Sequence, residues 1–215
     1  MKEKIKIIII AFITIMIMNV NVFAEITRYP YLQPTTDLET SIGIAWQTDN
    51  KVESIVYYGL QNVEENQVKC NAIDVSPRGK QRYYVKLTNL LSGSTYKYKV
   101  VADGTTTPEY GFLTSSSKDD FEYRAIIVGD PHFYADIDRA KFYTEKAALQ
   151  MQSLKPNLIL ILGDIVDGEN EVGGSDQEYE NGFTIYRDLF ANAIYLPICG
   201  NHDGAIPHSY NYHLF

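Results

Sequence analysis

Three short clusters hold the residues best suited to chemistry: Gly129-Asp130-Pro131-His132, Gly163-Asp164 and Gly200-Asn201-His202-Asp203. Carboxylate, imidazole and amide oxygen are hard or borderline donors, the types that hold divalent cations. Each cluster follows an apolar run: Ala125-Ile126-Ile127-Val128, then Leu158-Ile159-Leu160-Ile161-Leu162, then Ile194-Tyr195-Leu196-Pro197-Ile198-Cys199. Such a run meeting glycine and a polar group reads as a buried strand opening into a loop. In open α/β sheets ligands sit beyond the carboxyl ends of the strands. Three strand ends therefore deliver their donors to one rim, and the expectation is a metal site.

Asp130 and His132 are two positions apart, so in extended backbone they point to the same side and suit one ion. Asp164 can place one oxygen on that ion and its other oxygen on a second, supplying the anion two neighbouring cations require. Asn201 offers a neutral amide oxygen. His202 is expected to act as proton donor or transition-state stabiliser, with Asp203 orienting it. The clusters are 34 and 38 residues apart. A helix with its loops fills each gap.

The elements that must position these residues form two grammars, preceded by a third. Residues 1–24 begin with Lys2, Lys4 and Lys6, continue through the apolar stretch Ile7–Met18 and end at Val22-Phe23-Ala24. This is the pattern of a cleaved export signal, with Glu25 as the mature start and a secreted or periplasmic destination. A stretch of twelve residues is too short to cross a bilayer, so the membrane is met only during export. The remaining chain carries 16 basic and 26 acidic residues, net −10. That balance argues against nucleic acid or an anionic membrane as partner. It does not exclude phosphorylated substrates, because bound cations reverse the local field. Cys70 and Cys199 lie in different segments, Cys199 in an apolar strand, and are read as free thiols with Cys199 buried.

Residues 25–116 offer short alternating runs at 27–32, 41–47, 54–58, 82–87, 95–102 and 110–114, separated by turn-forming clusters such as Ser76-Pro77-Arg78-Gly79 and Leu91-Ser92-Gly93-Ser94. This is the signature of an antiparallel sandwich. Ile42, Ile44 and Trp46 share one face, as do Tyr96, Tyr98 and Val100, and their role is packing. Polar residues 115–120 mark the boundary. Residues 121–215 alternate strand and helix, with helices expected over 137–154 and through Tyr179, Phe183, Tyr186 and Phe190. This β-α-β-α-β order implies parallel strands. The fold class is thus an all-β sandwich followed by a partial α/β domain.

Leu90 to Tyr98 resembles the late-strand signature of fibronectin type III domains. Arg28-Tyr29-Pro30-Tyr31-Leu32-Gln33 with Ile44-Ala45-Trp46 is similar to the amino-terminal domain of purple-acid-phosphatase-like proteins. The three clusters resemble the first signatures of the calcineurin-like metallophosphoesterase superfamily: Asp-x-His, Gly-Asp and Gly-Asn-His-Asp/Glu. The resemblance implies a hydrolase of small phosphate esters with two divalent ions, Mn, Fe or Zn. Asp130, His132 and Asp164 would hold one ion, and Asp164 and Asn201 the other. A metal-bound hydroxide would attack phosphorus while His202 assists the leaving oxygen.

Three departures qualify the resemblance. Purple acid phosphatases proper carry tyrosine three residues after the bridging aspartate, where this chain has Asp167, and glycine where it has His132. A ferric-tyrosinate centre is therefore not expected. Asp167 is either a partner of a neighbouring ligand or the start of the solvated acidic loop 167–180, which its surroundings favour. The family's later histidine ligands have no match, because His208 and His213 stand in the wrong contexts. The chain is accordingly expected to carry the first half of the site of a longer enzyme and to be nearly inactive alone. The competing expectation is a dead fragment whose sandwich acts, if at all, as a binding module.

Overall fold

The computed structural model describes residues 24–75, 79–119, 121–168 and 175–203. The expected leader, apart from Ala24, lies outside them, as do His208 and His213. The amino-terminal half contains β1 (Ile26–Gln33), β2 (Ile42–Thr48), β3 (Ser54–Gly59), β4 (Asn66–Cys70), β5 (Asp74–Val75), β6 (Gln81–Leu87), β7 (Thr95–Ala102), β8 (Thr105–Thr106) and β9 (Tyr110–Leu113). The second half contains β10 (Ala125–Val128), α1 (Ile137–Ser153), β11 (Leu158–Leu162), α2 (Asp176–Ile185), α3 (Arg187–Asn192) and β12 (Ile194–Ile198).

Antiparallel β1, β2, β6 and β5 form one layer of the sandwich, and β4, β3, β7, β8 and β9 the other. Between them lie Ile44, Trp46, Tyr83, Val85, Tyr98, Val100 and Phe112. Trp46 stacks on Tyr83 with ring centres 5.2 Å apart, and the alternating faces of β2 and β7 meet as their period requires. Every residue of β2 is nevertheless buried. Its second face, through Ala45, packs with Tyr31 of β1 against Phe133 and the α2–α3 aromatics.

That double burial follows from how the halves join. β10, β11 and β12 are parallel, in register Ile127↔Leu160 and Leu160↔Leu196. β12 then pairs in parallel with β1 through Leu32↔Ile194. One seven-stranded sheet, β10-β11-β12-β1-β2-β6-β5, runs through both halves. Helix α3 seals the seam, where the buried Tyr98 hydroxyl donates to the Ala191 carbonyl at 2.7 Å. Arg28 of β1 pairs with Glu180 of α2 at 2.7 Å and lies over the Phe183 ring.

The helices start where their caps dictate. The Asp136 side chain accepts from the Asp138 and Arg139 amides, and Ser175 with Glu178 forms a reciprocal capping box. The buried stripe of α1 is Ala140, Thr144, Ala148 and Met151, whereas Ala147 and Leu154 are exposed. The aromatic helix expected through Tyr179–Phe190 is two helices. Tyr186 leaves helical geometry at φ −94°, ψ 10°, turning α3 toward the sandwich. The other face of β10–β12 is open: Ile127, Leu162, Leu196 and Ile198 are exposed. Cys70 and Cys199 are free, but Cys70 is the buried one and Cys199 only half-buried, the reverse of the sequence expectation. Among the described residues, no helix is long and apolar enough to cross a membrane.

Candidate metal centre

The loops after β10 and β11 stay paired beyond their strands. His132 N–H donates to the Asp164 carbonyl at 3.1 Å, Phe133 N–H to Ile165 at 2.8 Å, and Asp167 N–H to Phe133 at 3.0 Å. This ladder, anchored by the fully buried Phe133, fixes one motif beside the next.

Asp130, His132 and Asp164 converge, with one donor atom from each lying within 4.8 Å of the others. Ligands about 2.1 Å from one cation stand at most about 4.2 Å apart, so closing by a few tenths of an ångström completes the set. Two carboxylates and an imidazole are a donor set that fits Mn, Fe(II) or Zn. The backbone is not extended as expected from sequence. Asp130, His132 and Asp164 have φ of 39°, 45° and 43°. Left-handed geometry costs about 1 kcal/mol or more for a residue with a Cβ and is concentrated at functional sites. The Asp130–His132 pairing therefore arises from a sharply turned loop, not from strand alternation.

The third motif closes on the second through two glycines. Gly163 has φ +90°, and a Cβ there would lie 3.0 Å from Gly200 Cα. A Cβ on Gly200 would lie 2.2 Å from both the amide nitrogen and Oδ1 of Asp164. This contact brings His202 N–H to Asp164 Oδ1 at 2.9 Å and the His202 ring to 4.8 Å from the His132 ring. Asn201 lies between these anchored neighbours and is exposed.

Asp203 is an acceptor for three backbone amides. It is fully buried, and its carboxylate accepts from the Ile165 and Val166 amides at 2.8 and 3.2 Å and from Gly200 at 2.8 Å. One side chain thus laces the loop carrying Asp164 to the loop carrying Asn201 and His202. Burial raises its pKa, opposed by those three amides.

Known proteins match in the same two pieces. The purple acid phosphatase N-terminal domain matches residues 28–114, and the calcineurin-like phosphoesterase family matches residues 123–215. The chain joins a purple acid phosphatase N-terminal domain to a calcineurin-like metallophosphoesterase domain. A solved structure titled "Structure of PhoD" superposes with TM-score 0.58 at 12% identity, covering 82% of this chain and 39% of that one. At that identity the likeness is one of fold, and this chain spans well under half the length of PhoD. The sensor domain of the anti-sigma factor RsgI4 from Pseudobacteroides cellulosolvens, long form, matches at 14% identity and TM-score 0.33, over 45% of this chain and 94% of that one. A computationally redesigned β-sandwich protein matches at 20% identity and TM-score 0.30, over 42% and 98%. No curated protein matches.

In this phosphoesterase domain Asp167 is not a solvated loop residue. Its carboxylate lies 3.3 Å from His132 Nδ1 and its carbonyl 2.5 Å from His202 Nδ1. A carbonyl only accepts, so Nδ1 of His202 carries the proton and Nε2 is left for chemistry. The same carbonyl, helped by the carboxylates of Asp164, Asp167 and Asp203, pushes the His202 pKa above its ordinary value. The acidic, glycine-rich surroundings of Asp167 pointed to solvent. What located it was its spacing of three from Asp164, carried inward by the Phe133–Val166 bridge.

Proposed function

We propose that this chain supplies the first half of the site of an exported metal-dependent phosphoesterase acting on small phosphate esters. Convergence of Asp130, His132 and Asp164, braced by Asp203, carries this reading. Asp130, His132 and Asp164 would hold one divalent cation, and Asp164 with Asn201 would hold a second. When bound, such ions neutralise phosphate charge and activate water. The chain's own residues supply the rest. Asp167 fixes the His202 tautomer by accepting from Nδ1, leaving Nε2 to pass a proton to the departing ester oxygen. Asp203 and the paired glycines hold the loops in register.

The exposed face of β10–β12 and the 39% coverage of PhoD support placing this chain within a longer enzyme. The basic, apolar leader supports export. Phosphate release from a phosphomonoester and a phosphodiester, with added Mn, tests the reading. Residues 25–215 alone should turn over barely above background, and the chain extended with further histidine ligands should be active. Full turnover by 25–215 contradicts the half-site reading, and an inactive extended chain contradicts the enzyme.

A further inference from the structure

The Asp167 carbonyl that accepts from His202 Nδ1 belongs to the same planar peptide unit as the Gly168 N–H. In a trans peptide that N–H points the opposite way, and here it donates to Glu178 Oε1 at 3.0 Å. One peptide plane is thus pinned at both ends, by His202 on its oxygen and by Glu178 on its hydrogen. The plane needs such a pin. Gly168 has φ +68°, and glycine adopts either sign of φ at little cost, so an unpinned plane before it can turn over.

Glu178 meets Gly168 from a rigid support. It is 1% exposed, and its other oxygen, Oε2, accepts from the Ser175 N–H and Oγ at the start of α2. The helix is in turn fixed against the loop after β10. Asn181, three residues on and on the same face, donates through Nδ2 to the Tyr134 and Ala135 carbonyls at 2.8 Å each. Its Oδ1 accepts from Gln177 Nε2 at 2.8 Å. Next to it, Gly182 lets α2 approach so closely that a Cβ there would lie 2.1 Å from the Phe133 ring.

We propose that Glu178 is a positioning residue for His202. By holding the Gly168 N–H it fixes the Asp167 carbonyl on Nδ1 and so reserves Nε2 for the departing ester oxygen. A carboxylate on the N–H also polarises the peptide and strengthens its carbonyl as an acceptor. The last step, at the ester oxygen, rests on the phosphoesterase reading above and deepens it; the hold on the His202 tautomer stands on geometry alone.

The test reads the neutral His202 ring in the purified metal-free chain by long-range proton–nitrogen NMR, which separates the Nδ1–H and Nε2–H forms. The unaltered chain should show the Nδ1–H form, with a Gly168 amide protected from hydrogen exchange. Glu178→Ala should lower the ratio of Nδ1–H to Nε2–H about tenfold, the scale of one lost hydrogen bond. Ser175→Ala weakens the same helix cap but leaves Glu178 on Gly168, and should leave the ratio unchanged. An equal fall in both variants makes Glu178 a helix cap only and overturns the proposal, as does an unmoved ratio in folded Glu178→Ala. If Glu178→Ala does not fold, the unaltered chain decides: an Nε2–H ring or a freely exchanging Gly168 amide overturns the pinned peptide. No metal or ester enters these measurements, so an inactive extended chain overturns the phosphoesterase reading and leaves the hold of Glu178 on the His202 tautomer standing.

Discussion

Removing the Asp203 carboxylate should loosen two loops at once. Asp203→Ala leaves the buried amides of Ile165 and Val166 and the part-buried amide of Gly200 without their acceptor. Each orphaned donor costs about 1–3 kcal/mol. Three would cost about 3–9 kcal/mol, offset by relief of the desolvated carboxylate and by local relaxation, so the expected net loss is about 3–5 kcal/mol. A domain with about 5–15 kcal/mol of total stability barely survives that loss. Asp203→Asn is the companion variant. Its amide oxygen still serves Ile165 and Val166 but its NH₂ opposes the Gly200 amide, so about 1–2 kcal/mol is expected. Urea unfolding followed by circular dichroism gives both values. Amide hydrogen exchange should show lost protection at Ile165, Val166 and Gly200 before any in β7. Shifts under about 0.5 kcal/mol for Asp203→Ala, with those amides still protected, would refute the lacing role.

Gly200→Ala forces a Cβ to 2.2 Å from the Asp164 amide, so Mn affinity measured by calorimetry should fall more than tenfold, with about 1–3 kcal/mol of stability lost. Tyr98→Phe removes the donor to the Ala191 carbonyl and should lower unfolding free energy by about 1–2 kcal/mol, detectable by thermal denaturation, without changing Mn affinity. Glu65 accepts from the amides of Leu60, Gln61 and Asn62, which holds its carboxyl below the usual range. A depressed folded pKa stabilises above the unfolded value, and that stability is lost as pH falls through the folded one. Glu65→Gln should therefore flatten the acid side of the stability profile, and NMR titration of Glu65 should show the low midpoint directly.

The strands that place the motifs were legible because a buried parallel strand leaves an unbroken apolar run, as in Leu158–Leu162. The sandwich strands were legible because half-burial leaves alternation, as in Thr95–Ala102. What escaped depends on distant contacts. Polar β4 and the two-residue β5 and β8 carry too little pattern to register. The break at Tyr186 is set by packing against Phe133 and the sandwich, not by a glycine or proline. The join of β1 to β12 rests on a pairing 162 residues apart in sequence, invisible to local periodicity. At the site, residue types and spacing named Asp130, His132 and Asp164 together. The left-handed turns that aim them, and the acceptor roles of Asp167 and Asp203, depend on loop–loop contacts that no local pattern encodes.

Titration of the purified chain with Mn by calorimetry, beside Asp164→Asn and His132→Ala, tests most directly whether the strand ends share a cation. Saturable binding is expected in the native sequence, weakened at least tenfold in each variant while circular dichroism stays unchanged. Equal affinity across all three proteins would contradict the assignment of Asp130, His132 and Asp164 as one metal centre.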